Sequence, residues 1–478
     1  MTGVVRTLGT AAEKVLIDED LAALAGPEFM DWLASMWRIG GCAAPVYLVG
    51  HTKVVDGTGA VVHVFSSINQ PKHMLAMACG NRRESRCGPC SFLHQGDTYQ
   101  IVVSGLNGGK GVPGTVATHP RVFATVTAPS FGSVHRQVLM GSGKDRCKWR
   151  GQGTCEHGVR RSCHRQHILG DPLIGTPFCT QCYDYESAVL WNASAGALWN
   201  RFVLHVRRVV AAMGRVPASR LNEHVRISFS KVVEFQRRGS VHMHAVIRAD
   251  GPGGPGDAPP DWVDLEVLQV AVKAAAMKVS VSVPTTDGGT RVLKFGDQVD
   301  ARPIVGGDVD DRDQVSARGA ARYVAKYVVK GDIEGLMLDT RLRSAGQIEL
   351  TPLSEHGRQF MRTAWRLGEL ECYRHLRLQA WAHQLGFRGH VATKSRMYST
   401  TYTALRLARA EARRAEIGSQ AFESVGVTFQ KKWAFHHQGH TGMEAEFARG
   451  IADKVARRRA DAKTARKRAR DVSDREPE

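Results

Sequence analysis

No run of about 18 apolar residues occurs in the 478-residue chain, which excludes a membrane-spanning helix. The N-terminus has no basic segment followed by an apolar stretch, so no secretory signal is expected and the chain reads as cytoplasmic. No Gly-x4-Gly-Lys-Ser/Thr phosphate loop is present, so no nucleotide cofactor is expected. Internal repeats are absent. Acid is scarce relative to base: Asp plus Glu number 46 against 65 Lys plus Arg, a formal net charge of +19. A globular chain this basic calls for a polyanion, nucleic acid first and an anionic membrane surface second. Cysteine is sparse outside one region: eight of the ten fall between Cys79 and Cys182, leaving only Cys42 and Cys372. In a reducing compartment such clustering reads as metal binding before disulfides. With 43% hydrophobic and 23% charged residues the chain is globular, and its length suggests about three domains.

The pattern along the chain is mixed. Glu28–Met36 reads as helix, and Tyr47–His51 with Val61–Phe65 as a hairpin around Asp56-Gly57-Thr58-Gly59. Arg121–Thr127 alternates as a strand that Pro129 ends. An amphipathic helix, Ala188–Met213, precedes two strands, Val225–Gln236 and Val241–Arg248, joined by the turn Arg237-Arg238-Gly239-Ser240. The Gly/Pro-rich segment Asp250–Pro260 is a loop. Further on come a helix Leu265–Lys278, strands Val279–Pro284 and Val292–Phe295, and helices Ala317–Val329, Gln359–Leu385 and Thr400–Ile417. Arg457–Arg470 carries eight Lys/Arg and one Asp, as a solvated helix or a disordered arm.

Three segments can carry chemistry. In Glu234-Phe-Gln-Arg-Arg-Gly-Ser-Val-His242-Met-His244, strand periodicity turns both histidines to one face and Met243 to the core. Two imidazoles so spaced, with an oxygen from Glu234 or Gln236 on the neighbouring strand, can hold Mg²⁺ or Mn²⁺ as a Lewis acid on a phosphate. Two partly exposed strand histidines without a metal fit the same spacing. In Arg322-Tyr323-Val-Ala-Lys326-Tyr327-Val-Val-Lys330, Tyr323 and Tyr327 share a helix face one turn apart, with Lys326 and Lys330 each three residues beyond a tyrosine. A neighbouring ammonium or metal favours phenolate and so prepares a phenol for attack on phosphorus, although an amphipathic helix packing two tyrosines looks the same. The third segment, Phe123–Gly132, presents Phe123, Thr125 and Thr127 on one strand face.

In order and character these segments resemble the three motifs of the His-hydrophobe-His (HUH) rolling-circle replication initiators, and in particular the RepSA-type initiators of actinomycete plasmids and integrative conjugative elements. Phe123–Gly132 is similar to the first motif, Glu234–His244 to the metal-binding second, and YVAKYVVK (Tyr323–Lys330) to the two-tyrosine third. CGNRRESRCGPC, TPFCTQCYDYESAVLWNASAGALWNRF and WAHQLGFRGHVATKSRMYS extend the resemblance over most of residues 75–410. It implies an enzyme that nicks and rejoins one DNA strand at an origin through a 5′-phosphotyrosine. Tyr327 would stand at the position of the nucleophile in single-tyrosine relatives, and Tyr323 would be a second tyrosine for strand transfer. Lys326 and Lys330 would steady phosphate or phenolate, and His242, His244 and Glu234 would hold the metal. Single-stranded or supercoiled origin DNA would be the substrate, with helicase and polymerase supplied by the host.

Cys87-x2-Cys90 and Cys179-x2-Cys182 have zinc-knuckle spacing. With Cys79, Cys147, Cys155 and Cys163 they make eight thiolates, enough for two structural zinc sites, and His94, His157, His164 and His167 can substitute for some. Cys42 and Cys372 read as buried apolar thiols. Arg457, Arg458 and Arg459 read as phosphate contacts, and Lys394 and Arg396 as part of an origin-reading region.

The expected fold is therefore α+β, a central antiparallel HUH nuclease sheet with a zinc-binding Cys-rich insertion and a basic helical C-terminal region. The expected boundaries are an N-terminal segment at 1–75, the Cys-rich region at 76–185 with the first motif at 121–132, the nuclease core at 186–335, a helical DNA-binding region at 336–450 and a basic tail at 451–478. The competing readings are a transfer relaxase or transposase of the same superfamily, and a non-catalytic zinc-dependent DNA-binding regulator.

Overall fold

The computed structural model describes residues 26–137, 147, 153–163, 165–306, 314–330, 335–416 and 428–473. In chain order the main elements begin with α1 (Pro27–Arg38), β1 (Val46–Val55), β2 (Val61–Ser66), β3 (Leu75–Met77), α2 (Gly88–Asn107), β4 (Arg121–Thr127) and α3 (Tyr185–Met213). They continue with β5 (Arg226–Phe235), β6 (Val241–Asp250), α4 (Leu265–Lys278), β7 (Ser280–Pro284), β8 (Thr290–Lys294), β9 (Val299–Val305), β10 (Val315–Ser316) and α5 (Ala317–Val329). The last are α6 (Glu355–Leu367), β11 (Ala392–Lys394), α7 (Tyr402–Glu416), β12 (Thr428–Gln438) and α8 (Gly442–Ser473). The fold is mixed α+β. None of the described helices is long and apolar enough to cross a membrane.

The chain divides into two compact units, Asp97–Tyr402 and a second formed by Met1–Gly96 with Thr403–Glu478. In the first, a six-stranded sheet runs β10-β9-β4-β6-β5-β11. All pairings are antiparallel except the short β10–β9 contact, which is parallel, so the sheet is mixed rather than purely antiparallel. Alternation along the strands divides the core in two. Val122, Ala124, Val126, Met243, Ala245 and Ile247 face α3 and α4 in the larger apolar cluster, and Phe123, Val232 and Val246 face α5 in the smaller. Both helix starts are capped from their own sequence: Asp184 accepts from the Ser187 N–H, and Ser316 from the Gly319 N–H.

The β5–β6 hairpin turns where expected. Gly239 has φ +82°, and a Cβ there would overlap the Phe360 ring, so backbone conformation and packing both demand glycine. The helix expected over Gln359–Leu385 is corrected. It ends at Leu367 with Gly368 as its cap, and 3-10 and short helical turns follow, interrupted by left-handed Arg377 and Leu385. The apolar pattern that suggested one helix is real, because Tyr373, Leu376, Leu378, Ala382 and Leu385 are all buried in the larger cluster. They reach it through successive turns instead of one stripe.

In the second unit, β12 and β2 flank β1, and β3 pairs with the start of β1. The expected β1–β2 hairpin is present, with β1 extending to Val55. β12, which arrives from the far end of the chain, was not among the expected strands. Arg457–Arg459 lie within α8, so this part of the basic C-terminal segment is helix rather than a disordered arm.

Candidate active site

β6 is a central strand, and its register sets the site. Thr125 of β4 lies opposite His244 and Thr127 opposite His242. On the other side Glu234 of β5 lies opposite His242. Antiparallel partners share a face, so these side chains all lie beneath α5. The two imidazoles stack with ring centroids 4.4 Å apart.

His244 is the hub. It is 4% exposed. Its Nδ1 lies 3.0 Å from the Thr125 hydroxyl, which can take the ring proton there and leave Nε2 as the free donor atom. Two oxygens converge on Nε2: the Tyr323 hydroxyl at 3.1 Å and a Glu234 carboxylate oxygen at 3.3 Å. Phe123 stacks on the same ring, and Tyr323 packs edge-on against both.

His242 is held from the turn. Arg238 donates to the carbonyls of Pro129 and Ala128, each at 2.7 Å, and through Nε to the Gln236 side-chain oxygen at 2.8 Å. This orients the Gln236 amide, whose nitrogen lies 2.9 Å from His242 Nδ1. His242 Nε2 is buried and has no hydrogen-bond partner. Burial, then the nearby His244 and Arg238, hold its pKa down at about 3, so the ring is neutral near pH 7. His242, His244 and Glu234 offer the nitrogen and oxygen donors that bind divalent cations, but in this arrangement they do not form a set whose ligand atoms all lie within 4.8 Å of one another. Binding at Nε2 would place the ring proton on Nδ1, where Gln236 would have to present its carbonyl oxygen instead.

The tyrosines are stacked one above the other on α5, with centroids 4.7 Å apart. Burial raises both phenol pKa values. At Tyr323 the Tyr327 side chain and the Glu234 charge add to the rise, while Arg302 opposes it. At Tyr327 the hydrogen bond with Tyr323 works the other way. Lys326 and Lys330 both carry their ammonium groups over the Tyr327 ring, at 5.4 and 5.8 Å from its centroid. Of the two tyrosines, Tyr323 is the one in hydrogen-bond contact with His244, and Tyr327 is the one flanked by cations.

Gln236, the alternative oxygen donor, instead lies against His242 Nδ1, and residues not singled out by the sequence complete this face: Arg238, and on β9 Asp300 and Arg302. Asp300 pairs in register with Thr125 and Arg302 with Phe123, and the two β9 side chains form an ion pair at 2.9 Å. Only the register of a strand 55 residues beyond the histidines brings them here, which no local pattern reveals.

The cysteines group differently from expectation. Among the described residues three sets have four ligand atoms within 4.8 Å of one another: Cys42, Cys79, Cys87 and Cys90; His135, Cys147, Cys163 and His167; and Cys155, His157, Cys179 and Cys182. Cys42 is therefore no isolated apolar thiol. Its sulfur lies 3.8 Å from that of Cys87 and 3.7 Å from that of Cys90, and Cys79 lies 3.6 Å from Cys90. A tetrahedral ion with metal–sulfur bonds of about 2.3 Å needs sulfur–sulfur edges of about 3.8 Å. Backbone N–H groups of Ala43 and Cys79 point at two of these sulfurs, and the Cys87 thiol is strongly favoured as thiolate by Cys42 and Cys90. In the second set, Asp171 accepts from His167 Nδ1 at 2.6 Å and leaves Nε2 to the cluster, an arrangement typical of metal-bound histidine. All three sets can hold a metal such as zinc. His135 joins unpredicted, and His94 belongs to none of the sets. His164 lies outside the described residues. Cys372 packs against the larger core cluster.

The basic residues separate by surroundings. Lys394 donates to the carbonyls of Ser395, Arg396 and Ser399, so its ammonium braces a turn. Arg396 is exposed. On α8, Arg457 is exposed, while Arg458 lies over the Trp37 ring and Arg459 over Phe92.

Residues 28–453 match a protein family described as replication initiator protein, pSAM2 (RepSA). A replication initiator protein of Streptomyces ambofaciens is 38% identical over 478 residues, covering 98% of each chain. No solved structure matches the chain.

Proposed function

We propose a function from one premise: the chain belongs to the RepSA family of replication initiators. On that footing the protein nicks one strand of origin DNA and later rejoins it, starting rolling-circle replication. The observation that carries this reading is the convergence of the Tyr323 hydroxyl and the Glu234 carboxylate on His244 Nε2, beneath a helix that carries a second tyrosine.

His242, His244 and Glu234 would hold Mg²⁺ or Mn²⁺. When bound, such an ion polarises the scissile phosphate and offsets charge developing on its oxygens. Tyr327 attacks phosphorus; the new bond joins its phenolic oxygen to the 5′ phosphate, and the bond to the 3′ oxygen breaks. The phenol proton is lost to solvent, and the departing 3′ oxygen takes one from water and becomes the primer terminus. Burial and the nearby Glu234 oppose this ionisation, and Lys326 and Lys330 beside the ring would supply the positive field that favours phenolate. Tyr323 then serves as acceptor for the second transfer at termination. Arg302, on the same sheet face and ion-paired with Asp300, would meet a backbone phosphate by exchanging that partner. Host helicase and polymerase would extend the freed end.

The metal sets have a structural role in this reading. Two lie in the connection between β4 and α3, where Arg237 of the β5–β6 turn donates to the Asp171 carbonyl and Tyr183 donates to the Arg238 carbonyl. The loops they staple therefore brace the turn that carries Gln236 and Arg238. Purified protein is expected to contain three equivalents of zinc by elemental analysis, and Cys42→Ser is expected to lower this to two and reduce thermal stability. A wild-type content of two, unchanged by Cys42→Ser, would return Cys42 to the role of a packed thiol. The function itself is tested by incubating the protein and Mg²⁺ or Mn²⁺ with a supercoiled plasmid bearing the candidate origin. Conversion to open circles with protein attached is expected, and origin binding without any cleavage would favour a non-catalytic regulator.

A further inference from the structure

The sheet of the terminal unit has an open face of unusual composition. Cross-strand pairing puts Trp433 opposite Gly50, Lys431 opposite Thr52, Phe429 opposite Val54 and Phe435 opposite Leu48. On the other side of β1, Phe65 lies opposite Thr52 and His63 opposite Val54. One face therefore carries Phe435, Trp433, Lys431 and Phe429 in a row along β12, with Phe65 and His63 beyond β1. Phe435 is 65% exposed, Phe429 47% and Phe65 38%. The rings are positioned rather than loose: the Trp433 indole donates to the Thr52 hydroxyl at 2.9 Å, and Phe65 lies 5.8 Å from Trp433. Gly50 has φ +144°, and a Cβ there would strike the Lys432 carbonyl, so no side chain can rise from β1 opposite Trp433. β1, β2 and β12 together contain no Asp or Glu; of their basic residues Lys431 and His63 lie on this face, and Lys53 and Lys432 alternate to the other.

We infer that this face binds single-stranded DNA, with bases stacking on Phe65, Trp433, Phe429 and Phe435 and phosphates meeting Lys431. Alternate residues along a strand stand about 6.8 Å apart, room for one base to each ring. Protein interfaces are poor in lysine at their centre, whereas here Lys431 lies inside the aromatic row. A duplex keeps its bases stacked internally and offers the rings nothing, so the fit is to a single strand. The choice of DNA over RNA rests on the replication reading; the surface itself does not depend on the tyrosine site.

The test uses full-length protein and a fluorescein-labelled oligothymidylate of 20 nucleotides, followed by anisotropy. Phe435→Ala is expected to weaken binding about ten-fold, and Phe65→Ala/Phe429→Ala/Phe435→Ala about 100-fold or more. Lys431→Ala is expected to flatten the dependence of affinity on salt. Wild-type protein irradiated with a 5-iodouracil oligonucleotide should cross-link within Thr428–Gln438, a readout that needs no variant to fold. Wild-type affinity in the folded triple variant, or cross-links confined to other segments, would overturn the proposal. So would a wild-type dimer that the triple variant converts to monomer without loss of DNA affinity, or binding to anionic vesicles but not to the oligonucleotide. The anisotropy and cross-linking readouts require no cleavage, so failure of this surface and failure of the tyrosine site give different results.

Discussion

Tyr327→Phe is expected to lower initial nicking of a single-stranded origin oligonucleotide by about 1,000-fold or more, the scale of losing a nucleophile. Phenylalanine keeps the ring against Tyr323 and beneath the two lysine ammonium groups, and removes only the hydroxyl. A loss is therefore chemical rather than structural, and unchanged origin binding in the same preparation would establish this. Tyr323→Phe should behave differently. It removes the hydroxyl 3.1 Å from His244 Nε2 but leaves the cation-flanked phenol. Its first cleavage should persist, while strand transfer to a second origin oligonucleotide fails for want of an acceptor. If Tyr323→Phe abolishes the first cleavage and Tyr327→Phe does not, the order of attack is the reverse, and contact with His244 outweighs the lysine field.

The second large effect concerns the metal. His242→Ala and His244→Ala should each remove cleavage supported by Mg²⁺ or Mn²⁺, by about 1,000-fold, equivalent to about 4 kcal/mol of transition-state stabilisation. Origin binding should fall little, because in this reading phosphate contacts and base readout lie outside the metal site. Gln236→Ala should fall between these and wild type, since it reaches the reaction only through the orientation of His242. Isothermal titration of Mn²⁺ into each variant separates lost metal affinity from lost chemistry. Cleavage by His242→Ala at the wild-type rate would remove the two-histidine site from the account.

Strand alternation and helix spacing made much of this arrangement legible in advance. The His242/His244 face, the Glu234 strand beside it and the Tyr323/Tyr327 helix stripe follow from periods of two and of about four, and each is a local property of a short segment. What stayed hidden depends on register between distant segments. Asp300 and Arg302 reach the site because β9 pairs with β4, and Phe435 and Trp433 flank β1 because β12 returns from the far end of the chain. The candidate metal sets were half legible for the same reason. Cys87-x2-Cys90 and Cys179-x2-Cys182 mark their own knuckles, but nothing in sequence links Cys42 to Cys90 or His135 to His167. Gly368 shows a further limit: an apolar pattern that continued past it looked like one helix, because residues in successive turns bury as thoroughly as those on a stripe.

The account stands most directly on the identity of the residue that becomes joined to DNA. Wild-type protein incubated with Mn²⁺ and a labelled origin oligonucleotide, resolved under denaturing conditions and mapped by mass spectrometry after proteolysis, should yield a 5′-phosphotyrosyl adduct on the peptide carrying Tyr323 and Tyr327. Fragmentation should place it on Tyr327 in the first turnover. An adduct on a residue outside that helix, or none from protein shown to bind and cleave the origin, would contradict it.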